Sequence, residues 1–297
     1  RQFLYRGITT AYISQSTIRK NEIRTARLYT AFGISMYYCH QDSIDYNIVE
    51  GGRFGIYSFY ENTYNRNTFS SIANNMVSNL LDPNYQLGIH SYLSYNVAMY
   101  HNSVWTTHSF SNPYYSALNL YYGNNCFVKN NSLKATNGGM CYAQYYGTIS
   151  IGSVDNNNYY SEGAAKYYHN GLTYTDLSTW KSINSQFNQN SREGDPSYNS
   201  ATDLHATGAQ LNNGGVKGLG IDDDIDGHKR PFSPDKKVDI GADEYYVSPY
   251  DIDLTALDSP IVPLLGSNPI KIYLKNNGIK GLSDDTVVVS YLIDGTV

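Results

Sequence analysis

Residues 222–245, DDDIDGHKRPFSPDKKVDIGADEY, hold the densest acid in the chain, eight carboxylates against four Lys or Arg. The spacing Asp222-x-Asp224-x-Asp226-Gly227 is the opening half of a loop that presents oxygens to Ca2+. The twelfth position of such a loop requires a bidentate Glu, and Ser233 stands there, with Asp235 two residues too far along. Two readings follow. In one, Asp222, Asp224 and Asp226 ligate calcium. In the preferred one, Asp226 and Gly227 make a turn, Arg230 pairs with Asp239 or Glu244, and the segment packs as a structural lid. No other cofactor is expected.

The chain that must position these groups has 297 residues, enough for one large domain or two ordinary ones. Its net charge of −5 gives no footprint for nucleic acid. No apolar run approaches the roughly 20 residues of a membrane span. The three cysteines, Cys39, Cys126 and Cys141, fit no zinc spacing and read as buried thiols. Tyrosine is the outlier, at 31 residues against 9 Phe and 2 Trp, and it recurs as Tyr-Tyr pairs. Beginning without Met, in mid-pattern, the chain reads as a fragment of a longer protein.

Six pieces align as a repeat: IRKNEI, IDYNIV, IANNMV, MYHNSV, VKNNSL and VDNNNY. Their shared asparagines, Asn21, Asn47, Asn75, Asn102, Asn131 and Asn157, are 26, 28, 27, 29 and 26 residues apart. Three residues before each stands Ile18, Ile44, Ile72, Met99, Val128 or Val154. Two residues after stands Ile23, Val49, Val77, Val104, Leu133 or Tyr159. A Gly-Ile column precedes them at Gly7, Gly33, Gly55 and Gly88, continued by Ala117-Leu118; Gly55 sits six residues early, as if six were inserted. Period-2 alternation in a repeat this short predicts one turn of a parallel β-helix, an all-β solenoid with apolar columns stacked inside. The asparagines are expected to form a hydrogen-bonded ladder and to mark a left-handed bend.

After Asn157 the repeat stops, and residues 161–246 read as an irregular cap. TDLSTWKSINSQF predicts a short helix capped by Thr175 or Asp176, with Leu177, Trp180, Ile183 and Phe187 on one face. Trp180, Arg230, Asp239 and Glu244 are its expected structural residues. From Val247 short alternating strands begin again.

Residues 1–246 resemble the right-handed parallel β-helix repeat proteins of the pectate-lyase-like superfamily, in their secreted bacterial form. The resemblance rests on the repeat columns and on Trp180, Asn190-Ser191, Asp195-Pro196, Asp203-Leu204-His205, Asp224-x-Asp226-Gly227, Arg230-Pro231 and the run Asp239 to Tyr245. The departure is GAQLNN at 208–213, where such proteins more often carry a Ser-Pro-Ala-Ile-Asp type stretch. Residues 247–297, with IKIYLKNNG and VVVSYLIDG, resemble the start of a CARDB-like, immunoglobulin-type module. The expected domains are therefore β-helix turns at 1–160, the cap at 161–246 and a partial Ig-like domain at 247–297.

A glycosidase needs carboxylates converging on one point, and a lyase needs acids with an Arg or Lys base. Acids are sparse in the repeat, and Asp45 and Asp155 share a column four turns apart, about 19 Å at the usual strand spacing. No catalytic residue is nominated. Two long connections, 78–86 and 106–116, carry Tyr85, His108, Phe110, Tyr114 and Tyr115, whose rings beside polar groups suit sugar stacking. The expectation is a non-catalytic segment of a secreted or cell-surface bacterial protein. It would act as a rigid spacer whose partners are a polysaccharide or surface glycan and the neighbouring domains of its own chain, with no nucleic acid and no membrane insertion. A polysaccharide lyase or glycoside hydrolase is the alternative.

Overall fold

A computed structural model describes residues 6–25, 31–78, 80, 86–107, 112–145, 150–232, 237–247, 252–259, 269–276 and 287–289. The chain divides into two compact units, Arg1–Tyr246 and Val247–Val297.

The first unit is a β-solenoid of three parallel sheets. Sheet one stacks Arg6–Ala11, Phe32–Tyr37, Phe54–Phe59, Leu87–Tyr92, Ser116–Tyr121, Met140–Gln144 and Tyr167–His169, and Leu172–Tyr174 closes it antiparallel. Sheet two runs from Thr17–Arg19 to Ser150–Asp155, and sheet three from Glu22–Arg24 to Arg192–Glu193. Strand pairing places Ile18, Ile44, Ile72, Met99, Val128 and Val154 in one register column. These residues, the column from Ile23 to Tyr159, and Ile34, Ile56, Ile89 and Leu118 form one buried core. Stacking identical apolar columns is how a repeat with no core of its own buries its strands.

The glycine column has a steric cause. A Cβ on Gly7, Gly33, Gly55 or Gly88 would lie 2.2–2.3 Å from a methyl of Ile23, Val49, Val77 or Val104. Sheets one and three approach too closely there for a side chain opposite a β-branched residue. The six extra residues after Gly55 fall in the corner between Phe54–Phe59 and Ser70–Ala73.

Aromatic rings replace aliphatic ones where the solenoid closes. Tyr142, Tyr159 and Tyr167 surround the buried Trp180, with ring centroids 5.3, 5.9 and 4.9 Å from it. Trp180 is carried by helix α1, Leu177–Ile183, whose N-cap Asp176 accepts from Thr179 N at 2.7 Å. Leu177 is buried and Phe187 packs on the core. Ile183, expected on the same face, is exposed, because the helix ends at Asn184 before that stripe reaches further core.

The second unit shows an antiparallel pair, Ile252–Ser259 with Lys271–Asn276. Across the described residues no helix is long and apolar enough to cross a membrane.

Candidate functional site

The six repeat asparagines stand in line. Each side-chain amide of Asn21, Asn47, Asn75, Asn102 and Asn131 donates to the Oδ1 of the next, at 2.9–3.0 Å. The backbone N–H donates to the same oxygen. From Asn47 onward the amide also donates backwards, to Ile18, Ile44, Ile72, Met99 and Val128 carbonyls, so that one carboxamide ties three turns. Asn157 N ends the ladder on Ser191 Oγ at 3.0 Å.

The left-handed bend belongs to a different column from the one expected. Lys20, Tyr46, Asn74, His101, Asn130 and Asn156, each just before a ladder asparagine, have φ of 52–58°. That conformation costs roughly 1–2 kcal/mol for an ordinary residue, and it frees the following Asn to face the axis. His101 lies at this turn and is buried, and burial keeps its ring neutral.

The acidic tail docks on those corner residues. Asn74 Nδ2 donates to the Asp223 carbonyl at 2.6 Å, and Arg230 Nη2 donates to Asn74 Oδ1 at 2.9 Å. Asn130 exchanges two hydrogen bonds with the Val216 backbone, and Asn156 donates to the Gly214 carbonyl. Segment 214–223 thus runs back along the side of the solenoid, from its last turns towards its first. The expected cap at 161–246 thus has two parts: residues 162–193 close the end, while residues 195–232 and 237–245 clothe one flank, where the corner carboxamides need partners.

Within the tail, Arg230 pairs with Glu244, both side chains 1% exposed. Asp239 takes backbone N–H groups of Asn213 and Tyr245 instead. Burial raises the Asp239 carboxyl to about 7 and the Asp243 carboxyl to about 6. Asp224 is fully buried and accepts from Asp226 N, His228 N, His228 Nδ1 and Glu244 N. Those four donors fill the lone pairs that a cation would use. Asp224 and Asp226 lie near His228, within reach of a shared ion, but Asp222 is exposed and outside that group. His205 bridges Asp203 and Asp226. Burial would lower its pKa, but the Asp203 hydrogen bond and the Asp243 and Asp226 charges raise it.

Of the aromatic candidates, Tyr85, His108 and Phe110 lie outside the described residues. Tyr115 receives a hydrogen bond from Arg53 at 3.3 Å. Tyr114 is 53% exposed, with its ring centroid 4.9 Å from Tyr145 and 6.2 Å from Tyr121. It joins a larger aromatic face on the outside of sheet one. In one register column Tyr37, Phe59, Tyr92 and Tyr121 follow one another at 5.7, 4.9 and 5.1 Å, and Tyr145 continues at 4.7 Å. At the adjoining corner Tyr12, Tyr38 and Tyr60 stack at 5.1 and 4.8 Å. A third column, Thr9, Ser35, Tyr57, His90 and Asn119, lies on the same face. His90 stacks on Tyr57 at 5.1 Å, and burial lowers its pKa to about 3. These columns carry no charge at neutral pH. Sequence reasoning missed the face, although its signal is simple: aromatic residues fall four and five positions after the glycine column, as in Gly33…Tyr37-Tyr38, Gly55…Phe59-Tyr60 and Ala117…Tyr121-Tyr122.

Two open grooves flank the tail. Asn156, Asn190, Arg192, Asn213, Lys217 and Lys237 line one, with no carboxylate. Gln15, Gln41, Asp42, Phe69, Tyr100 and Ile221 are among those lining the other, where Asp42 is the one acid.

The class this fold defines is the parallel β-solenoid. No family model, curated protein or solved structure matches the chain.

Proposed function

We propose that this chain is a non-catalytic segment of a secreted or cell-surface bacterial protein, in which a β-helix of the pectate-lyase-like kind is a rigid spacer and its tyrosine face binds a neutral polysaccharide. Residues 247–297 then begin a CARDB-like, Ig-type module that continues the stalk.

The observation that carries the reading is the long, uncharged, half-exposed aromatic face of sheet one. Stacked rings cover one another's faces, so the inner part of each ladder is turn-to-turn stabilisation. Ring edges and phenol hydroxyls remain outward, repeating once per turn, with open faces where the stack tilts at Tyr114 and Tyr121 or ends at Tyr12. Aromatic surface edged by phenol hydroxyls suits a ligand that is apolar on its faces and hydroxyl-rich at its rim. The absence of charge in these columns selects against an anionic glycan. Among the repeat acids, Asp45 pairs with Arg19, Glu50 with Arg24, and Asp155 accepts from Asn190. Neither groove supplies the paired carboxylates of a hydrolase.

Affinity electrophoresis through neutral and acidic polysaccharides tests this. A neutral glycan should retard the wild type, and Tyr38→Ala with Tyr60→Ala should weaken retention roughly tenfold. Retardation by no glycan, or by acidic glycans alone regardless of the substitutions, would overturn the reading and leave a plain spacer.

A further inference from the structure

In the Asp-x-Asp-x-Asp-Gly motif of the tail, Asp224 and Asp226 are already served by protein donors. A different group is not. Cys39 and Asp42, in the corner after the second strand of sheet one, meet Glu61 from the corner of the next turn. One ligand atom from each lies within 4.8 Å of the others, and all three residues are buried. Asp42 is 2% exposed and Glu61 is fully buried. Asp42 Oδ1 accepts from Ser16 N and Ser16 Oγ, and Glu61 Oε1 accepts from Ser70 Oγ at 2.6 Å. Their second oxygens, Asp42 Oδ2 and Glu61 Oε2, are buried with no hydrogen-bond partner. Neither carboxylate forms an ion pair with Lys or Arg among the described residues. The Cys39 thiol makes long sulfur contacts, 3.4 Å to the Tyr37 carbonyl and 3.7 Å to Thr10 Oγ1.

Two buried carboxylate oxygens without donors are costly, because a buried charge demands a compensating one. We infer that this corner binds a divalent transition metal of the zinc class through Cys39 Sγ, Asp42 and Glu61. A thiolate with two carboxylates suits zinc better than calcium or magnesium, which take oxygen ligands alone. The three donors leave a fourth position for water. Asp42 also borders the groove beside Gln15, Gln41 and Ser70, the side from which an ion would approach. The metal would fasten the ten-residue loop between Phe59 and Ser70 to the preceding turn, where the repeat carries its insertion.

The test is Co2+ titration of the untagged, reduced chain, followed by near-ultraviolet absorption, with retained zinc measured after dialysis. One equivalent of Co2+ should bind with a thiolate-to-metal charge-transfer band. Cys39→Ser should abolish the band, and Glu61→Gln and Asp42→Asn should each weaken binding at least tenfold. Chelator should lower the melting temperature of the wild type but not of Cys39→Ser. Absence of both band and retained zinc in the wild type would overturn the site and leave a carboxyl pair sharing a proton. A band that survives in Cys39→Ser would equally overturn it.

Discussion

At the scale of single residues, the two asparagine columns divide labour. Asn102 receives two hydrogen bonds on Oδ1 and donates to the Ile72 carbonyl and to Asn131. Asn102→Ala strands buried donors and acceptors in three turns, and should lower unfolding free energy in urea by roughly 2–4 kcal/mol. Asn74→Gly keeps the left-handed bend, which glycine adopts without strain, and removes side-chain contacts made to the tail. It should leave the main urea transition nearly in place while speeding proteolytic cleavage within residues 214–232. The ladder column was legible in the sequence because every turn repeats the same residue. The bend is ambiguous in the sequence because Asn74-Asn75, Asn130-Asn131 and Asn156-Asn157 present two asparagines together. The pairs Lys20-Asn21, Tyr46-Asn47 and His101-Asn102 separate the roles: the left-handed position varies, and the ladder position does not.

At the scale of the strands, glycine and tyrosine columns mark the two sides of sheet one. Gly33→Ala would set a Cβ 2.2 Å from Val49 Cγ1 and 2.6 Å from the Gly55 carbonyl oxygen. Overpacking of this kind costs roughly 1–3 kcal/mol. Adding Val49→Ala should recover part of that loss, since the methyl clash is removed and the backbone clash is not. Equal stability of the wild type and Gly33→Ala in urea would contradict the close approach of sheets one and three. The glycine column was visible in the sequence, but its cause was not, because the opposing valine lies 16 residues further on. The tyrosine face is hidden in the sequence for a related reason. A pair such as Tyr37-Tyr38 straddles a strand and a left-handed corner, so its members enter different columns that only the coiled chain brings side by side.

At the scale of the whole solenoid, the parallel architecture followed from the repeat alone, whereas the path of the tail did not. Irregular chain has no period, and its partners, Asn74, Asn130 and Asn156, lie some 60 to 150 residues earlier. The tail should also respond to pH. The folded-state pKa values of Asp239 and Asp243, about 7 and about 6, lie above the roughly 3.9 of an unfolded Asp. Their contribution to stability is therefore fully present below about pH 4 and is lost as pH rises through 6 to 7. Melting temperature should fall between pH 5 and pH 8, and Asp239→Asn should flatten that slope. A profile that rises over this interval, unchanged by the substitution, would contradict the burial assigned to these carboxyls. The central claim is that the tyrosine face of sheet one is the binding surface, and nitration footprinting addresses it most directly. The chain is treated with tetranitromethane with and without the neutral glycan that retards it, and modified peptides are quantified by mass spectrometry. Protection of Tyr12, Tyr38, Tyr60 and Tyr122, with Tyr246 and Tyr273 nitrated as before, is the result expected. Unchanged nitration of the sheet-one tyrosines at saturating glycan would contradict the account.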